Sequence, residues 1–198
     1  TVITDGDAHF DDGEGHSGTI AYGGVEWMRA GRGVWHGREL GAGVSKSITG
    51  FQLWLALPAD LELSPAEGQY LEAEHTPEIG PARLIVGRYQ RQQSPVRSPD
   101  GINYLLVTLK PGETWRYETP EGHEVGWFAL SRGAVALGDA EVQAGEMVTL
   151  DRGAGPIELR STGPDDAVLV LGSAVPHAHE LHLGYHSVHT SRASLAEG

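Results

Sequence analysis

One histidine of this chain, His36, ends a pattern that could place its imidazole in an enclosed site. Residues 23–36 read GGVEWMRAGRGVWH and begin with the alternation of a β-strand. Gly31 and Gly33 can adopt the positive φ angles that a tight turn between two strands requires. Because inward and outward side chains alternate in a small β-barrel, we expect His36 to face a barrel interior, where an imidazole can bind a metal ion. A single histidine is weak evidence for a ligand, so an ordinary hairpin histidine is the alternative.

The glycine spacing of this stretch occurs a second time in the chain. The two sets are Gly23, Gly31, Gly33 and His36, and Gly145, Gly153, Gly155 and Glu158. Such internal self-similarity predicts two related β-domains, one in each half of the chain. Residues 90–101, with two prolines, look like the crossing between the halves. We therefore place the domains at residues 1–90 and 91–198, the second with a C-terminal tail.

Two other stretches cluster residues that could do chemistry. Residues 7–17, DAHFDDGEGHS, combine histidines with carboxylates, but their spacing does not fit an EF-hand loop. We favour a solvated hairpin there, with an oxygen-rich cation site as the alternative. Residues 177–189 hold half of the 10 histidines without an aspartate, a cysteine or a constraining turn. Ordinary packing is favoured there over a metal cluster, and a pH-dependent contact is a further alternative because imidazoles titrate near neutrality.

The composition excludes several classes of site and partner. The chain has no cysteine, which removes disulfides, Cys-ligated zinc, iron–sulfur clusters and cysteine nucleophiles, and which is compatible with a cytoplasmic location. Its 27 acidic and 14 basic side chains give a formal charge of −13. Such a chain should repel phosphate backbones, so we expect no direct binding to nucleic acid. No apolar run approaches the roughly 20 residues needed to span a bilayer, so we expect no membrane partner.

Turn residues divide the chain into many short strands. The 28 glycines and 11 prolines belong to turn signals spaced about 8–12 residues apart, which is typical of an all-β sandwich or barrel. Residues 51–57, FQLWLAL, predict a strand buried on at least one face. Residues 64–67, SPAE, predict a single helical turn. Residues 190–198 predict a short helix with Thr190 or Ser191 as its cap.

Several consecutive motifs resemble the pirin family. GGVEWMRAGRGVWH resembles the family's GDVQWMTAGRG followed by a hydrophobic pair and a histidine. Residues 50–58, GFQLWLALP, resemble its GFQLWVNLP, and residues 8–18, AHFDDGEGHSG, resemble its first-domain hairpin. The first half of the chain contains most of the matching motifs. In the second half the resemblance depends mainly on the spacing of the predicted strands. It implies a bicupin, an all-β fold of two cupin-type β-barrels in tandem with short helical turns, in agreement with the internal repeat.

The resemblance also implies a metal site. Pirin-family proteins bind one divalent metal ion, usually iron, in the N-terminal barrel through a His-x-His pair, a third histidine and a glutamate. The third histidine corresponds to His36, and the pair would lie just before Thr1, so we expect the start of the first barrel to be missing from this sequence. Arg38 stands where the glutamate is expected, and Glu39 would face the other way in a regular strand unless a bulge reorients it. We name His36 and Glu39 as metal ligands, conditional on the upstream pair, and assign no catalytic residue.

The second barrel departs further from the family's metal site. It keeps neither an HxH pair nor a histidine at the position of His36 in the repeat, which is Glu158, and its only local histidine is His123. We infer that the second barrel is metal-free and structural.

The resemblance leaves open whether the protein is an enzyme. One hypothesis is a metal-dependent dioxygenase of the quercetin 2,3-dioxygenase type, in which the metal ion does the oxygen chemistry on a flavonol-like phenol inside a dry, apolar pocket. The alternatives are a non-enzymatic pirin-like regulator that binds a protein partner through its acidic surface, and a cupin scaffold with a lost metal site.

Overall fold

The computed structural model describes residues 1–11, 17–34, 40–153 and 155–197. Within these ranges the regular structure is β-strand except for a 3-10 turn at Ala73–His75 and one short helix. The all-β prediction is therefore confirmed. No helix in this part of the chain is long and apolar enough to cross a membrane.

The strands of the first half form two sheets. The described strands are β1 (Val2–Asp5), β2 (Ala8–Asp11), β3 (Ser17–Ile20), β4 (Val25–Arg29), β5 (Leu40–Ala42), β6 (Thr49–Phe51) and β7 (Glu67–Leu71). One sheet has the order β6-β1-β4-β7 and the other has the order β3-β2-β5. The arms of the predicted hairpin, β2 and β3, pair from Ala8 with Ile20 to Asp11 with Ser17, and the tip between them lies outside the described residues.

The second half also folds into two sheets, with a short ribbon beside them. The strands are β8 (Glu78–Ile79), β9 (Ala82–Val86), β10 (Arg88–Tyr89), β11 (Gln92–Gln93), β12 (Ile102–Leu109), β13 (Thr114–Tyr117), β14 (Val125–Arg132), β15 (Ala134–Leu137), β16 (Ala140–Gln143), β17 (Met147–Thr149), β18 (Ile157–Ser161) and β19 (Ala167–Ala174). The large sheet has the order β17-β14-β19-β12-β9-β8, the small sheet β13-β18-β15-β16, and β10 pairs with β11. The domain boundary at residue 90 stays a prediction, since β8 and β9 precede it in sequence and yet join the large sheet through β12.

The same strand order occurs in both halves. The order β6-β1-β4 beside β3-β2-β5 matches the order β19-β14-β17 beside β16-β15-β18. The turn between the first and the second strand is also the same in both repeats. It contains Gly6 (φ +75°) in the first repeat and Gly133 (φ +77°) in the second. The topology thus supports the duplication that the glycine spacing predicts.

Three groups of buried apolar side chains hold these sheets together. Both sheets of the second half enclose a core around Leu105, Tyr117, Phe128, Leu159 and Leu169. Both sheets of the first half enclose a smaller core of Ile3, Ala8, Phe10 and Ile20. Between the halves, the sheet that contains β1 packs on the large sheet through a third core that includes Val2, Val25, Leu106 and Val170. Alternate residues of β1 therefore serve two different cores, as the period of a strand requires.

The C-terminal tail docks on the first half. It contains β20 (His182–Leu183), β21 (Val188–His189) and α1 (Arg192–Glu197). The predicted cap is confirmed, because the backbone N–H of Ser194 donates to Ser191 Oγ at 3.0 Å. The buried Glu62 accepts the Thr190 N–H at 2.8 Å. Burial alone would raise the pKa of this carboxyl group, but hydrogen bonds from Ser194 and Thr190 and the charge of His189 bring it below its ordinary value.

Two local predictions are wrong. The strand predicted over residues 51–57 ends at Phe51, after which Leu53 is partly buried against the core between the halves and Trp54 is 76% exposed. The high apolar content of residues 51–57 therefore reflects the packing of an irregular segment and does not mark a strand. The helical turn predicted at residues 64–67 is also absent from the structure, because Ser64 Oγ donates to Leu61 O and Glu67 begins β7. The ion pair of Glu67 with Arg29, at 2.8 Å, stabilises that strand instead.

Candidate functional site

Strand β4 carries a carboxylate into the first half of the molecule. Val25 and Trp27 pack in the core between the halves, so the alternation of the strand turns Glu26 to the opposite side. The backbone holds it firmly, since the Thr1 nitrogen donates to Glu26 O at 2.7 Å and the Glu26 nitrogen donates to Thr1 O at 3.0 Å. Glu26 thus lies on the face of β4 that belongs to the first barrel.

Glu26 lines a cavity of about 310 Å³. Most of the cavity wall is apolar and includes Ile3, Leu40, Ile48 and Phe51. The Glu26 residue is only 9% exposed. Its Oε2 accepts a hydrogen bond from Thr1 Oγ1 at 3.0 Å, and its Oε1 has no partner among the described residues. A buried carboxylate oxygen without a partner is energetically costly and is expected to meet a proton or a cation.

The glycine turn after β4 is formed as predicted. Gly31 has a φ of +52° and Gly33 a φ of +107°. A Cβ at Gly31 would lie 2.0 Å from Ser64 O, so no other residue fits without moving the backbone. The turn directs the chain from β4 towards β5. The predicted ligands His36 and Glu39, together with Arg38, lie between these strands and outside the described residues, so the orientation of His36 stays a prediction.

The histidine-rich tail has the ordinary packing that the sequence favours. His177 and His179 are exposed, with their ring centroids 5.9 Å apart, and His177 Nε2 lies 3.2 Å from Leu57 O. No group of three or more histidine, aspartate or glutamate side chains suited to a metal ion occurs in the part of the chain that the structure describes. The described part therefore supplies Glu26 as a single carboxylate and not a complete ligand set.

A second polar site lies inside the other barrel, at His123. His123 Nδ1 lies 2.8 Å from Ser173 Oγ, which lies 2.8 Å from the Tyr117 hydroxyl. The amide nitrogen of Asn103 donates to that hydroxyl at 3.0 Å, while Asn103 Oδ1 accepts the Arg88 N–H at 2.9 Å. These four side chains, His123, Ser173, Tyr117 and Asn103, form a buried chain of hydrogen bonds that we call the His123 network.

Burial determines the protonation states in the His123 network. It lowers the pKa of His123, against a smaller opposing effect of the Ser173 backbone, so the imidazole is neutral at pH 7. Burial also raises the pKa of Tyr117, although hydrogen bonds with Ser173 and Asn103 oppose the change. The phenol therefore keeps its proton and can donate it within the network.

A cavity of about 210 Å³ opens beside His123. Its lining includes the apolar side chains of Leu137, Leu150 and Ile157. Thr119 Oγ1 donates to Gly155 O at 2.8 Å across this region and joins the end of β13 to the loop before β18. In the sequence His123 is an isolated histidine, because its network joins four segments that are far apart along the chain.

Glu26 was missed in the sequence, although a signal was present. It stands between Val25 and Trp27 in a strand whose neighbours are apolar, and its counterpart in the second glycine set is Val148. Val148 packs against the core of the second barrel. A charged residue at a position whose repeat partner is a core valine marks a departure from simple packing.

Comparison with known sequences identifies relatives across most of the chain. The family model described as Pirin matches residues 1–55. A Pseudomonas aeruginosa protein named "putative quercetin 2,3-dioxygenase" is 31% identical over 180 residues, which cover 86% of this chain and 62% of that protein. A Vibrio cholerae protein of the same name is 28% identical, with 88% and 64% covered. A pirin-like protein of Arabidopsis thaliana is 30% identical over 150 residues, with 72% and 48% covered. The chain thus spans less than two thirds of the length of these curated relatives.

Comparison with solved structures gives the same fold. A quercetin 2,3-dioxygenase from Acinetobacter baumannii superposes with a TM-score of 0.74 at 22% identity, covering 99% of this chain and 70% of that one. The bacterial pirin YhhW from Escherichia coli, solved in complex with nickel(II), superposes with a TM-score of 0.62 at 14% identity, covering 88% and 71%. The two barrels have the architecture of these cupin proteins. The motifs, the relatives and the fold agree, and the chain belongs to the pirin family of cupin proteins.

Proposed function

We propose that the protein binds one divalent metal ion, iron, in its first barrel and acts as a cytoplasmic dioxygenase of the quercetin 2,3-dioxygenase type. The observation that carries this proposal is Glu26, a buried carboxylate whose Oε1 has no partner among the described residues of a cavity of about 310 Å³. The names of the relatives from Pseudomonas aeruginosa and Vibrio cholerae support the choice of reaction.

The physical argument for a cation begins with the cost of burying charge. An ionised carboxylate removed from water is strongly destabilised unless it meets a cation or several donors. Glu26 has one side-chain donor, Thr1 Oγ1, on its Oε2. An oxygen ligand on one side and imidazole ligands on the other suit divalent iron. Glu26 therefore fits as one oxygen donor to the metal ion that the family implies.

The residues proposed to hold the metal ion are His36 and Glu39, with Glu26 as a further oxygen donor. An upstream His-x-His pair is required to complete the site. Arg38 places a positive charge where the family has its glutamate, so a second carboxylate in the cavity would offset that charge. The bound metal would supply open coordination positions and oxygen chemistry.

The chain's own residues would prepare the substrate. The apolar wall at Ile3, Leu40 and Phe51 would exclude water and contact the rings of a flavonol-like phenol. Glu26 Oε1, free of other partners in the described part of the chain, would accept the hydroxyl proton of that phenol. Proton acceptance by a carboxylate positioned beside a reacting hydroxyl group is a common role in general base catalysis.

Metal content of the purified full-length protein tests the first part of the proposal. We expect close to one iron per chain in the parent protein, and a clear loss of iron in His36→Ala, Glu26→Gln and Glu39→Gln. Glu180→Gln removes an exposed carboxylate that does not line the cavity and is the matched control. A parent protein without bound metal after reconstitution with ferrous iron would contradict the proposal.

Oxygen uptake with quercetin tests the second part. We expect uptake by the iron-loaded parent protein and by Glu180→Gln, and none by His36→Ala. Iron binding without oxygen uptake would contradict the dioxygenase and favour the alternative, a pirin-like regulator that binds a protein partner. Absence of both would favour a cupin scaffold with a lost metal site.

A further inference from the structure

We propose that the second barrel binds a small uncharged phenol in the cavity beside His123, independently of any metal in the first barrel. The sequence predicts this barrel to be metal-free and structural. We keep the prediction that it binds no metal and add a binding function.

The His123 network has a direction that leaves one ring nitrogen available. Asn103 must donate to Tyr117 because its carbonyl oxygen is occupied by the Arg88 N–H. Ser173 Oγ contacts both the Tyr117 hydroxyl group and His123 Nδ1. Nδ1 is therefore engaged inside the network, and Nε2 is the ring nitrogen that remains for a ligand. A phenol hydroxyl group can donate or accept a hydrogen bond at this nitrogen.

Several polar groups around the cavity already have partners. Thr119 Oγ1 donates to Gly155 O, Gly153 N donates to Glu124 O at 3.1 Å, and Leu150 N donates to Gly126 O at 2.9 Å. A ligand with an apolar body and one polar group matches the apolar side chains and the His123 ring of this lining.

The size of the cavity limits the ligand to about one substituted ring. A cavity of about 150 Å³ lined by apolar side chains holds benzene, and this cavity has about 210 Å³. Val125, Leu137, Leu150, Pro156 and Ile157 provide the apolar surface. A phenol would place its ring on these side chains and its oxygen at His123 Nε2.

Charge argues against an anion at the same place. Among the described residues that line the cavity, His123 is the single imidazole, and its burial keeps it neutral, so it offers no positive charge. Asp151, a carboxylate in the lining, is exposed and would repel an anion. A metal ion is equally disfavoured, because no group of three suitable ligands exists among the described residues.

The experiment uses three probes of similar size on the full-length protein, with binding followed by isothermal titration and by ¹H–¹⁵N NMR. The probes are p-cresol, toluene, which lacks the hydroxyl group, and benzoate, which is charged. We expect p-cresol to bind about tenfold more tightly than toluene, which corresponds to 1.4 kcal/mol for a hydrogen bond to a buried ring nitrogen. We expect benzoate to bind more weakly than p-cresol.

Two variants locate the site. His123→Leu should lower the affinity for p-cresol about tenfold and leave toluene unchanged. Leu137→Trp should fill the cavity and abolish binding of both, while the His123 network is kept. His186→Leu replaces an exposed histidine of the tail and should bind p-cresol as the parent does. Near-ultraviolet circular dichroism checks that each variant is folded, and Leu137→Trp decides alone if His123→Leu does not fold.

Several results would overturn the proposal. These are equal affinities for p-cresol and toluene, tighter binding of benzoate, or p-cresol binding that survives Leu137→Trp. Loss of p-cresol binding in His36→Ala together with retention in Leu137→Trp would place the phenol in the first barrel. Phenol binding in the second barrel does not need iron, so it can be measured on metal-free protein. Its result is therefore independent of the metal test above.

Discussion

The hydroxyl groups of Thr4 and Ser131 lie 2.9 Å apart at the contact between the two halves. Both residues stand two positions before a glycine of positive φ, Gly6 and Gly133, in the first strand of each repeat. Thr4 and Ser131 are thus equivalent in the two copies, and their hydrogen bond joins the repeats at matching positions. Each neighbours an apolar residue of its own barrel core, Ile3 in β1 and Leu130 in β14.

This pair should show energetic coupling. Thr4→Val or Ser131→Ala alone leaves one hydroxyl group in the interface without its partner and should lower the free energy of unfolding by about 1–2 kcal/mol. The double variant removes both groups and should lose less than the sum of the single changes. Urea denaturation of the four proteins measures this double-mutant cycle. Strictly additive losses would mean that the two hydroxyl groups do not interact.

Gly172 should be required for packing between the halves. A Cβ at this position would lie 2.5 Å from the ring of Trp127 on the neighbouring strand, and Trp127 packs against the core between the halves. Gly172→Ala should therefore lower the free energy of unfolding by about 1–3 kcal/mol. Gly68→Ala is the matched control, because Gly68 is also in a strand and has open space around its Cβ position. Equal effects of the two changes would show that ring contact at Gly172 is unimportant.

Two buried tyrosines should respond oppositely to loss of their hydroxyl groups. The Tyr104 hydroxyl has no partner among the described residues, so Tyr104→Phe should be neutral or stabilising. The Tyr117 hydroxyl bonds Asn103 and Ser173, so Tyr117→Phe should leave the Asn103 amide without this acceptor, remove one of the two partners of Ser173, and lower the free energy of unfolding by about 1–3 kcal/mol. Thermal and urea unfolding compare the two variants directly. Similar losses in both would contradict the difference in hydrogen bonding.

His123 should contribute to the pH dependence of stability. Because burial lowers the pKa of His123, the unfolded chain binds the proton more tightly than the folded protein does. The free energy of unfolding should therefore fall as the pH falls below about 6.5, the ordinary histidine value, towards the lowered folded value, by at most about 1.4 kcal/mol per pH unit.

The change His123→Gln isolates this contribution from those of the other histidines. Its free energy of unfolding should depend less on pH between 7.5 and 5 than that of the parent, whatever its absolute stability. Urea denaturation at several pH values gives both slopes. An unchanged slope would show that His123 ionises as easily in the folded protein as in the unfolded chain.

The architecture could be predicted from the sequence because its signals are local. Glycine adopts a positive φ without strain, and Gly23 and Gly145, which begin the two glycine sets, both have a positive φ. Alternating apolar residues mark strands for the same reason, since a strand has a period of two. The all-β class, the duplicated halves and the capped C-terminal helix follow from patterns of this kind.

Other features depend on contacts between distant segments. Residues 51–57 have the composition of a strand, but without a neighbouring strand beyond Phe51 the segment stays irregular and Trp54 is exposed. Glu67 looks like part of a helix cap, but the partners at Arg29 and across β4 make it a strand residue. Local preference is overridden in both cases by the partners that the fold supplies.

The two candidate sites were also predictable from the sequence only in part. The sequence by itself pointed to His36 and its glycine turn, and to an expected metal site in the first of two related barrels. Only the tertiary structure revealed Glu26 as a buried carboxylate in a cavity, and brought Asn103, Tyr117 and Ser173 to His123. The physical reason is that burial and hydrogen bonding are properties of packed segments, whereas turns and strand alternation are properties of neighbouring residues.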